Sequence, residues 1–128
     1  SYAIDADIAI VLESTTAADL DGVSGANRVC VLGDGPVISF MDNRTIYDRE
    51  LFELGFTVAK ENNIPAQTKT AVAGGNDAGA IQTSGDGARV MAISLPTRYI
   101  HSGASVVKAS DIDETRRLLK ALLPKLTD

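Results

Sequence analysis

This sequence has little of what protein chemistry is usually built from: one cysteine, one histidine and no tryptophan. Cys30 stands alone in an apolar run. It excludes a disulfide framework and a cysteine-based zinc site, and reads as a buried core thiol. No Gly-x-Ser-x-Gly elbow is present, so neither a serine nor a cysteine hydrolase is supported. No apolar run is long enough to span a bilayer, and no signal-peptide pattern opens the chain. The net charge is −5 with no block of like charges, which argues against non-specific nucleic-acid binding and against a basic membrane-surface patch. What is present is ordinary: 45% hydrophobic and 23% charged residues over 128 positions allow one globular domain with a sizeable core. Together these features point to an intracellular protein. Ser1-Tyr2-Ala3-Ile4-Asp5-Ala6 leads almost at once into a core-type strand without an initiator Met, which is expected of part of a longer protein.

Asp7–Glu13 is a near-continuous apolar run ending in a carboxylate, a pattern that suits a strand covered on both faces. Residues 14–27 form a long polar loop, a length that is often functional. Arg28–Leu32 and Val37–Met41 flank Gly33-Asp34-Gly35-Pro36 and read as a hairpin. Thr45, with Asp48 three residues on, opens a helix whose stripe is Leu51, Leu54 and Val58 with Phe52, Phe56 and Ala59. Asn62-Asn63-Ile64-Pro65 stops it. Gln67–Val72 is a strand candidate, and Asn76 caps a short helix through Ile81. Ala88–Leu95 is a second buried-type strand, and Val106–Lys108 a short one. Ser110 caps a last helix with an apolar stripe of Ile112, Leu118, Leu119, Leu122, Leu123 and Leu126. Alternating strands and helices define an α/β layered domain with a mixed, mostly parallel sheet covered by helices.

Ligand sites in such sheets gather beyond the carboxyl ends of the strands. Glu13, Gly74–Asp77 and the Pro96–His101 loop all fall there. A lone histidine is most often structural, but His101 follows a Pro-containing loop after a core strand, and imidazole is a common ligand for zinc-like metals. Glu13 can ligate a metal or simply be solvated. Asp19 and Asp21 follow it in the loop, as groups behind a ligand or as solvated carboxylates. Gly74 and Gly75 let backbone approach a ligand closely. Asp77 complements a helix dipole or faces a substrate. Arg98, beside Tyr99, can bind a carboxylate or serve as an ion-pair partner.

Leu12-Glu13-Ser14-Thr15-Thr16-Ala17-Ala18-Asp19, Gly74-Gly75-Asn76-Asp77-Ala78-Gly79-Ala80-Ile81 and Pro96-Thr97-Arg98-Tyr99-Ile100-His101-Ser102 occur in that order over nearly the whole chain. They resemble the strand-end carboxylate, Gly-Gly-Thr-Asp-Ala and final histidine motifs of the tetrahedral, or glutamyl/deblocking, aminopeptidases. These are cytosolic dinuclear metallo-enzymes often labelled endoglucanases or cellulases. Asn76 stands where the family more often has Thr, and Gly103 where it more often has Pro. The resemblance implies that Glu13 binds one of two divalent ions, zinc or cobalt, and His101 the other. It also implies that Gly74, Gly75, Asp77, Arg98 and Tyr99 face a peptide substrate. In the family a further ligand histidine, a bridging aspartate and a glutamate pair containing the general base come earlier, around an inserted dimerisation domain. This chain has no counterpart of them. It is therefore expected to be the C-terminal portion of the catalytic domain, over residues 1–128, with no general base of its own and inactive alone. Its partners would be the rest of that domain and further copies in a homo-oligomer. The alternatives are a non-catalytic α/β interaction module and a polysaccharide hydrolase, the latter with Glu13 and Asp77 as its carboxyl pair.

Overall fold

The unbroken apolar runs are explained by the sheet they form. A computed structural model describes residues 3–126. The lead-in expected at Ser1 and Tyr2 lies outside the described residues. Strands β1 (Ile8–Thr16), β2 (Val37–Ile38) and β3 (Arg89–Thr97) form a mixed sheet in the order β1-β3-β2. β1 and β3 run parallel, with Ile8 opposite Arg89 and Thr16 opposite Thr97. β2 lies antiparallel along the other side of β3, with Ile38 opposite Ile93. Side chains alternate between the faces of a strand. Met91 and Ile93 enter a core with Ile38, Leu51, Val58, Leu118 and Leu122, whereas Val90 and Ala92 pack with Tyr47 and Ala78. With both faces of β3 covered, no position in Val90–Ile93 calls for a polar residue.

Helices α1 (Arg49–Glu61) and α3 (Ala109–Leu122) cover the first face, and the short α2 (Ala78–Gln82) the second. α1 begins one turn later than Thr45. The Asp42 carboxylate accepts the Arg44 and Thr45 N–H groups at 2.8 and 2.9 Å and holds them in a turn. Asp48 then caps the helix by accepting the Leu51 N–H at 3.0 Å. α1 lies close on the sheet because residue 55 is glycine: a Cβ there would come within 2.5 Å of Met91 Cε. Asn63, in the left-handed region at φ 51°, ends it.

The expected hairpin does not form. Arg28–Leu32 pairs instead with the segment after α1. The Gln67 side chain accepts the Val31 N–H at 2.9 Å and donates to the Val31 and Gly35 carbonyls at 2.8 and 3.0 Å, while the Thr70 N–H donates to the Val29 carbonyl at 3.0 Å. Gln67 makes a single bridge beside Val37, so no strand extends over Gln67–Val72. Val106 likewise makes only a bridge, to Arg98. α3 is preceded by Lys108 rather than Ser110. Ile112 and Leu123 of its expected apolar stripe are exposed, while Leu118 and Leu122 are buried.

The turn at Gly33-Asp34-Gly35 is fixed from a distance. Asp111, 1% exposed in the first turn of α3, accepts the Gly33 and Gly35 N–H groups at 2.8 and 3.2 Å. Gly35 sits at φ 82° with no room for a Cβ against the Pro65 carbonyl. Asp111→Ala would strand those donors, and the expected loss is about 2–3 kcal/mol of stability. Urea denaturation checks this: the midpoint should fall with little change in slope. An unchanged midpoint would contradict the role assigned to the carboxylate.

Candidate functional site

Towards the carboxyl ends of β1 and β3 lies a cleft of about 380 Å³. Because β1 runs on to Thr16, Glu13 stands within the strand opposite Ser94 rather than at its end, and the expected loop begins three residues later than residue 14. Glu13, from β1, and His101, from the loop after β3, both line it, and Gly74, Gly75 and Asn76 form another wall. Glu13 shares the face of β1 that carries Ala9 and Val11, the face covered by α2. Among the described residues neither Glu13 nor His101 has a salt-bridge or side-chain hydrogen-bond partner.

His101 is carried by a closed excursion of the chain. The Arg98 and Val106 backbones pair at its base, with N···O distances of 2.9 and 3.0 Å. Inside it, the Tyr99 carbonyl accepts from the Ser102 and Ser105 hydroxyls at 2.6 and 3.2 Å. Tyr99 and His101 sit at φ 58° and 65°, in the left-handed region that non-glycine residues seldom occupy. Each such residue stores on the order of 1–3 kcal/mol of strain, a pattern that clusters at functional sites.

The glycine wall is held by the 42–47 turn, which the sequence reading did not connect with the site. The Gly74 carbonyl accepts the Asn43 N–H at 2.9 Å. The N-cap residue of α2 is Asp77 rather than the expected Asn76. The Asn76 side chain, one residue earlier, accepts the Ala78 N–H at 2.9 Å and donates to the Tyr47 hydroxyl at 2.9 Å. The Tyr47 hydroxyl in turn donates to Asp42 at 2.5 Å. Burial, together with the Asp42 carboxylate, pushes the Tyr47 phenol well above its ordinary pKa and keeps it a donor. Tyr47 gave no sequence signal of this role. The Asp42-x-x-Thr45 turn was readable as an aspartate accepting backbone N–H groups.

The other candidates lie elsewhere. Asp77 stands exposed at the start of α2, makes no side-chain cap and does not line the cleft. The carboxyl pair a glycosidase needs, Glu13 with Asp77, is therefore not assembled there. Tyr99 is exposed outside the cleft lining. Arg98 also lies outside it and is engaged by Asp19, to which it donates at 2.6 and 2.9 Å. Asp19, with its side chain 3% exposed, additionally accepts the Leu32 N–H at 2.9 Å. It is thus a buried tie between loops rather than a solvated carboxylate, whereas Asp21 is exposed. Lys69 lines the cleft and went unremarked in the sequence. Cys30 is buried as expected, and burial pushes its thiol up to about 12, so it is not a nucleophile. Among the described residues no group of three or more His, Cys, Asp or Glu side chains could hold a metal ion.

An α/β layered domain with a strand-end cleft is the architecture of many hydrolases, and the comparisons narrow the class. The family model for the M42 glutamyl aminopeptidases matches residues 1–118. An aminopeptidase from the archaeon Desulfurococcus kamchatkensis superposes with a TM-score of 0.89 at 33% identity, over 94% of this chain and 34% of that one. The Pyrococcus horikoshii TET1 peptidase, which can assemble into a tetrahedron or a large octahedral shell, gives 0.67 at 31% identity, over 90% of this chain and 32% of that one. A Thermotoga maritima protein called an endoglucanase gives 0.68 at 34% identity, over 91% and 33%. The chain belongs to the M42 glutamyl aminopeptidase family. It spans about a third of the length of the curated relatives it matches.

The Asp19–Arg98 pair makes a pH prediction. The Arg98 guanidinium holds the Asp19 carboxyl down at about 2, against an ordinary 3.8. A carboxylate depressed in the folded state stabilises above its unfolded pKa, and that stability is lost as pH falls through the folded one. Asp19 should contribute about 2 kcal/mol, disappearing between about pH 5 and pH 2. Asp48, held at about 2 by Arg89, titrates in the same window. Asp19→Asn should therefore flatten, and not abolish, the acid limb of a stability–pH curve. An identical limb in the variant would refute the assignment.

Proposed function

We propose that this chain forms the C-terminal portion of the catalytic domain of a cytoplasmic dinuclear metallo-aminopeptidase, which removes N-terminal residues from peptides. The observation that carries the reading is that Glu13 and His101, from different elements of an M42 family chain, line one cleft without partners. An anionic oxygen donor and a neutral imidazole suit zinc or cobalt. Glu13 would hold one ion and His101 the other. Such ions, when bound, polarise a scissile carbonyl and make a bound water nucleophilic near neutral pH.

The fit is partial. A zinc ion takes three or four protein ligands, and the described residues offer the pair of ions one apiece. The remaining ligands and the general base belong, in this reading, to polypeptide outside these 128 residues. A surface feature favours this. β1 is an edge strand of the described sheet, and beside it Ile8, Ile10, Leu12, Leu119, Leu123 and Leu126 line an open apolar groove. A sheet continuing past β1 would cover both. Gly74 and Gly75 would let the peptide backbone approach. Asp77, Arg98 and Tyr99, the other substrate candidates, would act at most from the rim. Oligomeric assembly, as in the TET1 peptidase, is part of the same proposal. No helix among the described residues is long and apolar enough to cross a membrane.

The isolated chain, supplied with zinc or cobalt, should show little or no turnover of aminoacyl substrates. Robust, chelator-sensitive turnover would place the site elsewhere. In the complete enzyme, His101→Ala should weaken one metal by at least the roughly 10–100-fold typical of losing a group behind a ligand. Metal content after dialysis is the measurement. Two retained ions per subunit with unchanged turnover would return His101 to a structural role.

A further inference from the structure

Asn76 ends the Gly74–Asn76 wall of the cleft, and the structure gives its amide two tasks. Its oxygen accepts the Ala78 N–H at 2.9 Å, which a threonine hydroxyl can also do. Its nitrogen reaches across to the Tyr47 hydroxyl at 2.9 Å, which calls for a second polar atom that threonine lacks. Tyr47 is 3% exposed and passes the connection on to Asp42, itself 3% exposed. Asp42 holds the wall a second way. Its other oxygen orders the Arg44 and Thr45 N–H groups, and the Asn43 N–H within that turn donates to the Gly74 carbonyl at 2.9 Å. The contact is close along its length: a Cβ on Gly75 would come within 3.0 Å of Arg44 Cγ and Cδ, and one on Gly79 within 3.0 Å of Thr45 Oγ1.

We infer that Asp42, Tyr47 and Asn76 form a positioning unit that sets the Gly74–Asn76 wall of the cleft against Glu13, and that Asn76 does so through Tyr47. Every hydrogen in the chain has one direction. The Ala78 and Asn76 N–H groups donate, the Tyr47 hydroxyl accepts from Asn76 and donates to Asp42, and Asp42 only accepts. The wall consequently has one preferred placement. The inference rests on the aminopeptidase reading only for what the wall contacts, a peptide substrate; the clamp itself does not.

Two arms test it. In the 128-residue chain, Tyr47→Phe keeps the ring and removes one oxygen, and the backbone amide NMR signals of Gly74, Gly75 and Asn76 should move while those of α3 stay. Unmoved signals at Gly74–Asn76 would overturn the clamp. In the complete enzyme, Tyr47→Phe should raise KM for an aminoacyl substrate about 3–10-fold, the effect of one hydrogen bond, with kcat within about 2-fold. Asn76→Thr, a milder change near the surface, should do the same, and the double variant should add less than about 2-fold to either. Unchanged KM, or fully additive effects, would reject the positioning role. A purely structural part would instead lower the active fraction at constant KM. An inactive wild-type complete enzyme would sink the aminopeptidase reading, whereas the NMR arm decides the clamp by itself.

Discussion

The cleft is built on one ladder, the parallel pairing of β1 with β3. The two strands stay in register from Ile8 opposite Arg89 to Thr16 opposite Thr97, and the Ala17 N–H extends the pairing to the Thr97 carbonyl at 2.9 Å. Beyond that point the chains leave in different directions. Arg98 and Asp19, two residues past Ala17, then tie the exits together again. Glu13 and the loop bearing His101 are neighbours because their strands are neighbours. The ladder survives because β3 is covered on both faces: a parallel pair is stable only when apolar layers enclose it.

Around this regular centre, three buried aspartates do what a longer sheet would otherwise do. Asp19, Asp42 and Asp111 each accept backbone N–H groups from irregular segments, at Leu32, at Arg44 and Thr45, and at Gly33 and Gly35. Backbone donors buried in loops need acceptors, and a carboxylate can satisfy several at once. Charge-assisted bonds are stronger than neutral ones. The same low-dielectric setting makes loss of one partner severe, since it leaves a buried charge or donor uncompensated. Two of these ties are long-range, Asp19 to Leu32 and Asp111 back to Gly33 and Gly35, whereas Asp42 closes its own turn.

This division explains what the sequence disclosed. β1, β3 and α1 are legible because their signals are local: unbroken apolar runs and a 3.6-residue stripe. The Arg28–Leu32 segment misleads for the same reason. Its β-type composition and the Gly33–Pro36 turn predict a hairpin, yet its partners are Gln67 and Thr70, a whole helix away. Arg98 beside the final histidine reads as a substrate contact or as an ion-pair partner, and the structure shows it paired with Asp19. That pairing follows from the β1–β3 register, which no window of sequence shows. Asn76 was readable as an acceptor of backbone N–H groups from its position before a short helix. Its second bond to Tyr47 was not, because Tyr47 lies 29 positions earlier. The three motifs point to one cleft because strand ends do, while Lys69 reaches it, and Tyr47 and Asp42 reach the back of its glycine wall, through folding alone.

Preorganisation at the cleft is uneven, and the unevenness has a physical source. Glu13 sits on a ladder strand whose backbone is fixed by β3, so the face it stands on is set by the fold itself. Asn76 and the glycines beside it are set by side-chain hydrogen bonds from a buried turn. His101 is set by neither: it is exposed, it lies in a left-handed conformation, and its loop is closed by the Arg98–Val106 pairing and by serine hydroxyls on the Tyr99 and Ala104 carbonyls. These bonds all lie within residues 98–106, and exposed, strained segments tied only to themselves sit at the low-stability end of a fold. The backbone that carries His101 is therefore the least firmly tied of the three walls to the rest of the fold, and the backbone that carries Glu13 the most firmly.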